Sequence, residues 1–275
     1  MELDVRTIEN KEKEKAKLPD QFDEAVRTDL IKKVFLAIRS NMRQPYGSDP
    51  EAGKKYSAKT SKRRRKYRGT YGVGISRVPR KVLSRRGIRL FFVGAFAPGT
   101  VGGRRAHPPK SEKSYAKKIN INEKRKAIRS ALSATLKPEF VTARGHKVPE
   151  SYPFIVEDNI ENITTTKDLY KTLQSLGFGN ELERCNERTI RAGKGKARGR
   201  KYTQKTGLLL VVSGKCPVSK AASNLPGVGV VTADSLNVDL LAPGSQPGRA
   251  TLFTKNALQK IEQDRLYMKK NLVEV

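Results

Sequence analysis

Residues 208–212 read LLLVV, five apolar side chains with no polar one between them. Successive side chains of a strand point to opposite faces, so a strand with one wet face alternates apolar with polar. An unbroken run of this length therefore predicts a strand covered on both faces, as in a parallel sheet flanked by helices. Outward from it, FIV at 154–156, GVGVV at 227–231 and TLF at 251–253 read the same way. Helical stretches separate them: residues 166–176, closed by Gly177, and residues 255–264 behind a Thr254 cap. Strands alternating with helices give an α/β class with a mainly parallel sheet.

Further upstream the spacing predicts a helix over 22–40. Val26, Leu30, Val34 and Ile38 recur every four residues, and Ile31 and Phe35 widen the stripe. A second long helix begins at Asn120, where Asn120 and Glu123 make a capping-box pattern, and it stops before Pro138. Between these helices the composition changes. From Lys54 to Lys118 the many lysines and arginines are opposed by Glu112 alone, glycine is dense, and only 88–93 reads as a strand. So long a stretch without regular structure is uncommon inside a compact domain. The division expected is a globular α/β domain from 1–41 with 120–275, interrupted by a basic, glycine-rich extended arm over 42–119.

The whole chain carries a formal charge of +30, from 57 Lys+Arg against 27 Asp+Glu in 275 residues. That many like charges oppose compaction, and a polyphosphate partner relieves the repulsion by releasing counterions. A membrane partner is not expected: no apolar run nears the ~18 residues a spanning helix needs, no signal peptide opens the chain, and the basic stretch lacks the apolar face of an interfacial helix. The arm's residue types suit RNA. Arginine grips phosphate and stacks on bases, and the interleaved Tyr67, Tyr71, Phe91, Phe92 and Phe96 offer stacking surfaces. The expected contacts in the arm are Lys62, Arg63, Arg64, Arg65, Lys66, Tyr67, Arg68, Arg77, Arg80, Lys81, Arg85, Arg86, Arg104, Arg105, His107 and Lys110. A second basic run, 188–205, adds Lys194, Lys196, Arg198, Arg200 and Lys201 among its glycines.

Enzymatic alternatives find little support in the sequence. A phosphate-binding loop needs two glycines separated by four residues, then Lys and Ser or Thr. Gly195 and Gly199 are separated by three residues and followed by Arg200, and the Gly72–Gly74 pair has Arg77 where a dinucleotide motif wants glycine. Glu157 and Asp158 end a strand, where α/β enzymes keep catalytic groups, but nothing pairs with them in sequence. Cys185, Cys216, His107 and His146 are too scattered for a zinc site or a disulfide framework. No catalytic residue, metal or cofactor is expected. The cysteines read as ordinary semi-buried residues of an intracellular protein.

The segments GVGISRVPR (72–80), GGRRAHPPK (102–110), NEKRKAIRSALSAT (122–135), GKGKARGRKY (193–202), SLNVDLLAPG (235–244) and PGRATLFTKNAL (247–258) occur in this order. Together they resemble the universal large-subunit ribosomal protein L-four family, in its archaeal and eukaryotic branch, over about residues 18–258. The resemblance implies a Rossmann-like domain on the outer face of the large ribosomal subunit in the cytoplasm. It also implies a long loop lining the peptide exit tunnel beside the ribosomal protein L-twenty-two and the nascent peptide. The arm residues named above, and Lys196, Arg198, Arg200 and Lys201 on the domain, would then bind large-subunit ribosomal RNA. Eukaryotic members usually carry a long C-terminal extension, whereas this chain ends soon after its last helix, which points to the archaeal members. The reading is therefore a structural constituent of the large subunit, active in assembly and tunnel lining. The alternatives are a nucleotide-dependent enzyme acting on RNA and a DNA-compacting protein.

Overall fold

The structure, a computed structural model, describes residues 1–66 and 69–268. In chain order its elements begin with β1 (Glu2–Arg6), β2 (Glu12–Lys17), α1 (Thr28–Asn41), β3 (Arg80–Arg86), β4 (Arg89–Gly94) and α2 (Ile121–Thr135). There follow α3 (Pro138–Ala143), β5 (Ile155–Val156), α4 (Thr166–Leu173), α5 (Gly179–Asn186), β6 (Thr189–Ile190) and β7 (Tyr202–Thr203). The last are β8 (Leu209–Val212), α6 (Val218–Ser223), β9 (Gly229–Thr232), α7 (Val238–Leu241), β10 (Thr251–Thr254) and α8 (Lys255–Gln263). The chain separates into two compact units, Met1–Met42 with Ala116–Val275, and Arg43–Tyr115.

The first unit is built on a six-stranded sheet in the order β2-β1-β5-β10-β8-β9. Every pairing in it is parallel except β1 with β2. The LLLVV run divides as its period demands. Leu209 and Val211 enter one apolar cluster with α1, α2, α7 and α8 residues, while Leu208, Leu210 and Val212 enter another with α4, α5 and α6 residues. Both sheet faces are thus covered, which is why the strands carry no polar alternation.

Several boundaries depart from expectation, each for a local reason. α1 starts at Thr28 rather than 22, because Arg27 is extended (φ −113°, ψ 94°) and its N–H donates to Ser130 Oγ at 2.6 Å. Asn120 does cap α2, but by accepting from the Asn122 N–H at 3.0 Å. The capping box stays open because Glu123 pairs with Lys33 at 2.8 Å instead. α4 ends at Leu173, and a wider turn over Gln174–Phe178 carries Gly177 at φ +89°. Thr254 caps α8 as expected, accepting from the Ala257 N–H at 3.3 Å. The β1–β2 hairpin has no counterpart in the sequence reading. Its outer strand, EKEKAK, is charged rather than apolar, the composition by which edge strands resist unwanted pairing.

Candidate nucleic-acid interface

Within Arg43–Tyr115, β3 and β4 pair antiparallel as a hairpin. The two-residue turn Gly87–Ile88 places Gly87 at φ +55°, a conformation hairpin turns reserve for glycine. A strand was expected over 88–93 alone. β3 escaped notice because its sequence, RKVLSRR, is basic and gains strand form by pairing with LFFVG rather than from its own pattern. Register sets Arg86 opposite Arg89, and like charges facing each other across strands are destabilising. Ile88 at the turn and Phe91 on the outer face are largely exposed, at 93% and 53%. The hairpin thus presents arginine and bare apolar surface together.

Lys62, Arg63, Arg64, Arg65 and Lys66 are exposed, with Arg65 at φ +54°. Tyr67 and Arg68 lie outside the described residues. The Arg77 guanidinium stacks 4.3 Å over the Tyr71 ring, and Lys81 sits 4.2 Å over Tyr56. Arg80 is tied down more firmly, donating to Ser76 O at 2.6 Å and Ser76 Oγ at 3.1 Å while lying over Phe92. Arg85 donates to Gly87 O at 2.9 Å, and Arg86 is exposed beside it. Arg104 is half-buried, while Arg105, His107 and Lys110 are exposed. The turn that carries them closes on itself: a Cβ at Gly103 would lie 2.0 Å from Ala97 O, so only glycine fits.

The run 188–205 is a second hairpin. β6 pairs with β7, the Arg191 N–H donates to Lys201 O at 2.8 Å, and Gly193 and Gly199 turn the intervening loop at φ +78° and +79°. Lys194, Lys196, Arg198, Arg200 and Lys201 all stand exposed on it. Its root is anchored in the domain. Glu181, wholly buried on α5, accepts from Arg184 Nε at 2.8 Å and from the Lys147 N–H at 2.9 Å, and lies 2.6 Å from His146 Nδ1. Arg184 in turn donates to Thr206 O at 2.9 Å, and Glu187 pairs with Lys205 at 2.5 Å. Burial alone would raise the Glu181 carboxyl, but the hydrogen bonds from Arg184, His146 and Lys147 outweigh it and hold it at about 2.

Groups considered for enzymatic chemistry are engaged in structural contacts. Glu157 pairs with Lys13 at 2.8 Å, and Asp158 accepts from the Asn256 N–H at 2.7 Å. Burial pushes up the thiols of both Cys185 and Cys216, away from the thiolate a nucleophile needs. Sequence reasoning missed Arg89, whose importance appears only with the register; Arg191, part of the second basic run, binds Arg200 O through its Nε at 3.1 Å inside the second hairpin. It also missed Glu181 and Arg184, which pair three residues apart on α5.

Residues 16–264 match the model of the Ribosomal protein L4/L1 family. Large ribosomal subunit protein uL4 of Nanoarchaeum equitans is 45% identical over 97% of this chain and the whole length of the relative. The protein of that name from Archaeoglobus fulgidus is 42% identical over 94% of this chain and 97% of its own length. That from Sulfolobus acidocaldarius is 42% identical over 95% and 94% respectively.

Proposed function

Since the chain belongs to the ribosomal protein L4/L1 family and is a structural, non-enzymatic constituent of the large ribosomal subunit, we propose that it binds large-subunit ribosomal RNA through two basic hairpins. The arm, 42–119, and the domain loop, 188–205, together neutralise phosphates where RNA segments converge, and so support assembly. In this reading the globular part, 1–41 with 120–275, is a Rossmann-like body that the arm interrupts in sequence. By its family resemblance the arm lines the peptide exit tunnel, beside L-twenty-two and the nascent peptide.

The observation that carries the RNA reading is the register of β3 and β4. It holds Arg86 against Arg89 with exposed Ile88 and Phe91 alongside, an arrangement costly in water and favourable against phosphate and base. Sedimentation of a cell extract, before and after a high-salt wash, tests the embedding. Comigration with the large subunit that survives the wash is expected. Recovery at the top of the gradient would overturn it, and equal affinity for duplex DNA and structured RNA at physiological salt would favour DNA compaction.

A further inference from the structure

At the ends of the Arg43–Tyr115 unit, two tyrosines far apart in sequence come together. The rings of Tyr46 and Tyr115 are 6° from parallel with centroids 6.4 Å apart. The two rings thus present nearly parallel π faces. Both rings line one cleft of about 600 Å³. Cations surround it: the Arg43 guanidinium lies 4.1 Å from the Tyr115 ring centroid and 5.5 Å from that of Tyr46, and Lys113 Nζ lies 5.5 Å from Tyr115. Arg105, His107 and Lys110 also line the cleft, against one carboxylate, Glu112.

The backbone is built to hold this pair. The Ser48 N–H donates to Pro109 O at 3.1 Å, joining the segment after Tyr46 to the segment before Tyr115. Gly47 lies so close to that segment that a Cβ would come within 2.6 Å of the Ser111 N. Consecutive prolines, Pro108 and Pro109, stiffen the opposite wall. A flat guest among cations has the chemistry of a nucleotide, with a π face for the tyrosines and a phosphate for the arginine and lysines. A base inside a duplex has both faces covered by its neighbours, so the guest must be unpaired.

We infer that Tyr46 and Tyr115 form an aromatic clamp for one unpaired RNA base, with Arg43 and Lys113 placed for its phosphate. The inference rests on the RNA-binding reading above and adds a specific kind of contact to it. The test uses the full chain and two probes: a short single-stranded RNA with 2-aminopurine at its centre, and an RNA duplex of equal length. Wild type should quench the 2-aminopurine on binding. Tyr46→Leu and Tyr115→Leu should each weaken single-strand binding about 5-fold or more, in line with measured base–aromatic stacking, and reduce the quench. Duplex affinity should be unchanged, and Tyr46→Phe and Tyr115→Phe should behave as wild type. Leucine variants that bind and quench like wild type would overturn the clamp and leave the RNA reading standing. Equal losses on both probes would also overturn it, by showing a general effect on the arm. Failure of wild type to bind either probe would overturn both readings.

Discussion

Replacing Glu181 by glutamine keeps the side chain's size and removes its charge. Its carboxyl is held at about 2 against an ordinary 4.5, and a depression of that size is linked to about 3 kcal/mol of stability at neutral pH. Because the folded value is the lower one, this stability is present above pH 4.5. It is lost as the pH falls toward 2, where the folded protein must also take up the proton. Glu181→Gln also leaves Arg184, 14% exposed, without its anion, a loss that commonly costs about 3–5 kcal/mol in buried pairs. Urea unfolding of the full chain, followed by circular dichroism, should place the variant about 3 kcal/mol below wild type near neutrality. At a pH of about 2.5 the gap should narrow to under about 1 kcal/mol. Comparing the two proteins at each pH cancels the general acid destabilisation of so basic a chain. Arg184 also holds Thr206 O at the root of the second hairpin, so amide exchange over 187–206 should quicken in the variant. A gap below about 0.5 kcal/mol near neutrality, or one that stays constant with pH, would refute this account of the cluster.

Two further outcomes concern the basic surfaces. Changing Lys194, Lys196, Arg198 and Arg200 together to glutamine should flatten the dependence of log affinity on log salt by about 3, as expected for four lost phosphate contacts. An unchanged slope in a filter-binding titration would show that the second hairpin does not touch the RNA. Gly103→Ala puts a methyl 2.0 Å from Ala97 O and 2.5 Å from Thr100 Oγ1, and overpacking of this kind costs about 1–3 kcal/mol. Faster amide exchange over 94–104 is expected, and wild-type protection there would show that the turn yields without strain.

What was legible in the sequence follows from how local each cause is. LLLVV announced a sheet buried on both faces because burial acts on consecutive residues, and β8 supplies both clusters. Thr254 announced α8 because a cap reaches only three residues along, to Ala257. β3 was hidden, since the strand form of RKVLSRR depends on a partner. β6 and β7, two residues each, fall below any periodicity. Glu181 and His146 are 35 positions apart, and Tyr46 and Tyr115 are further still, so no window of sequence joins either pair. Charge could be read as a total, but which cations share a face is settled by register.

The same logic explains why this α/β sheet serves as a body. In parallel sheets, ligands bind beyond the carboxyl ends of the strands, where loops diverge and leave a crevice. Here those ends are stitched together. Glu161 accepts from the Ser213 N–H at 3.0 Å and Ser213 Oγ at 2.9 Å after β8, and from Thr254 Oγ1 at 2.7 Å at the end of β10. Asp158, just past β5, receives the Asn256 N–H at 2.7 Å at the start of α8. Lys260 on α8 reaches Ser213 O at 3.0 Å and pairs with Asp234 beyond β9. A carboxylate that receives three donors from two strand ends fixes the separation of those ends and has little capacity left for a substrate. The polar groups that an enzyme of this architecture aims into a crevice instead tie the strand ends to one another. Meanwhile Lys194, Lys196, Arg198, Arg200 and Lys201 stand exposed on the β6–β7 hairpin, anchored at its root by Glu181 and Arg184. Strand ends tied together by hydrogen bonds, with exposed cations carried on a hairpin, suit the RNA-binding role proposed above.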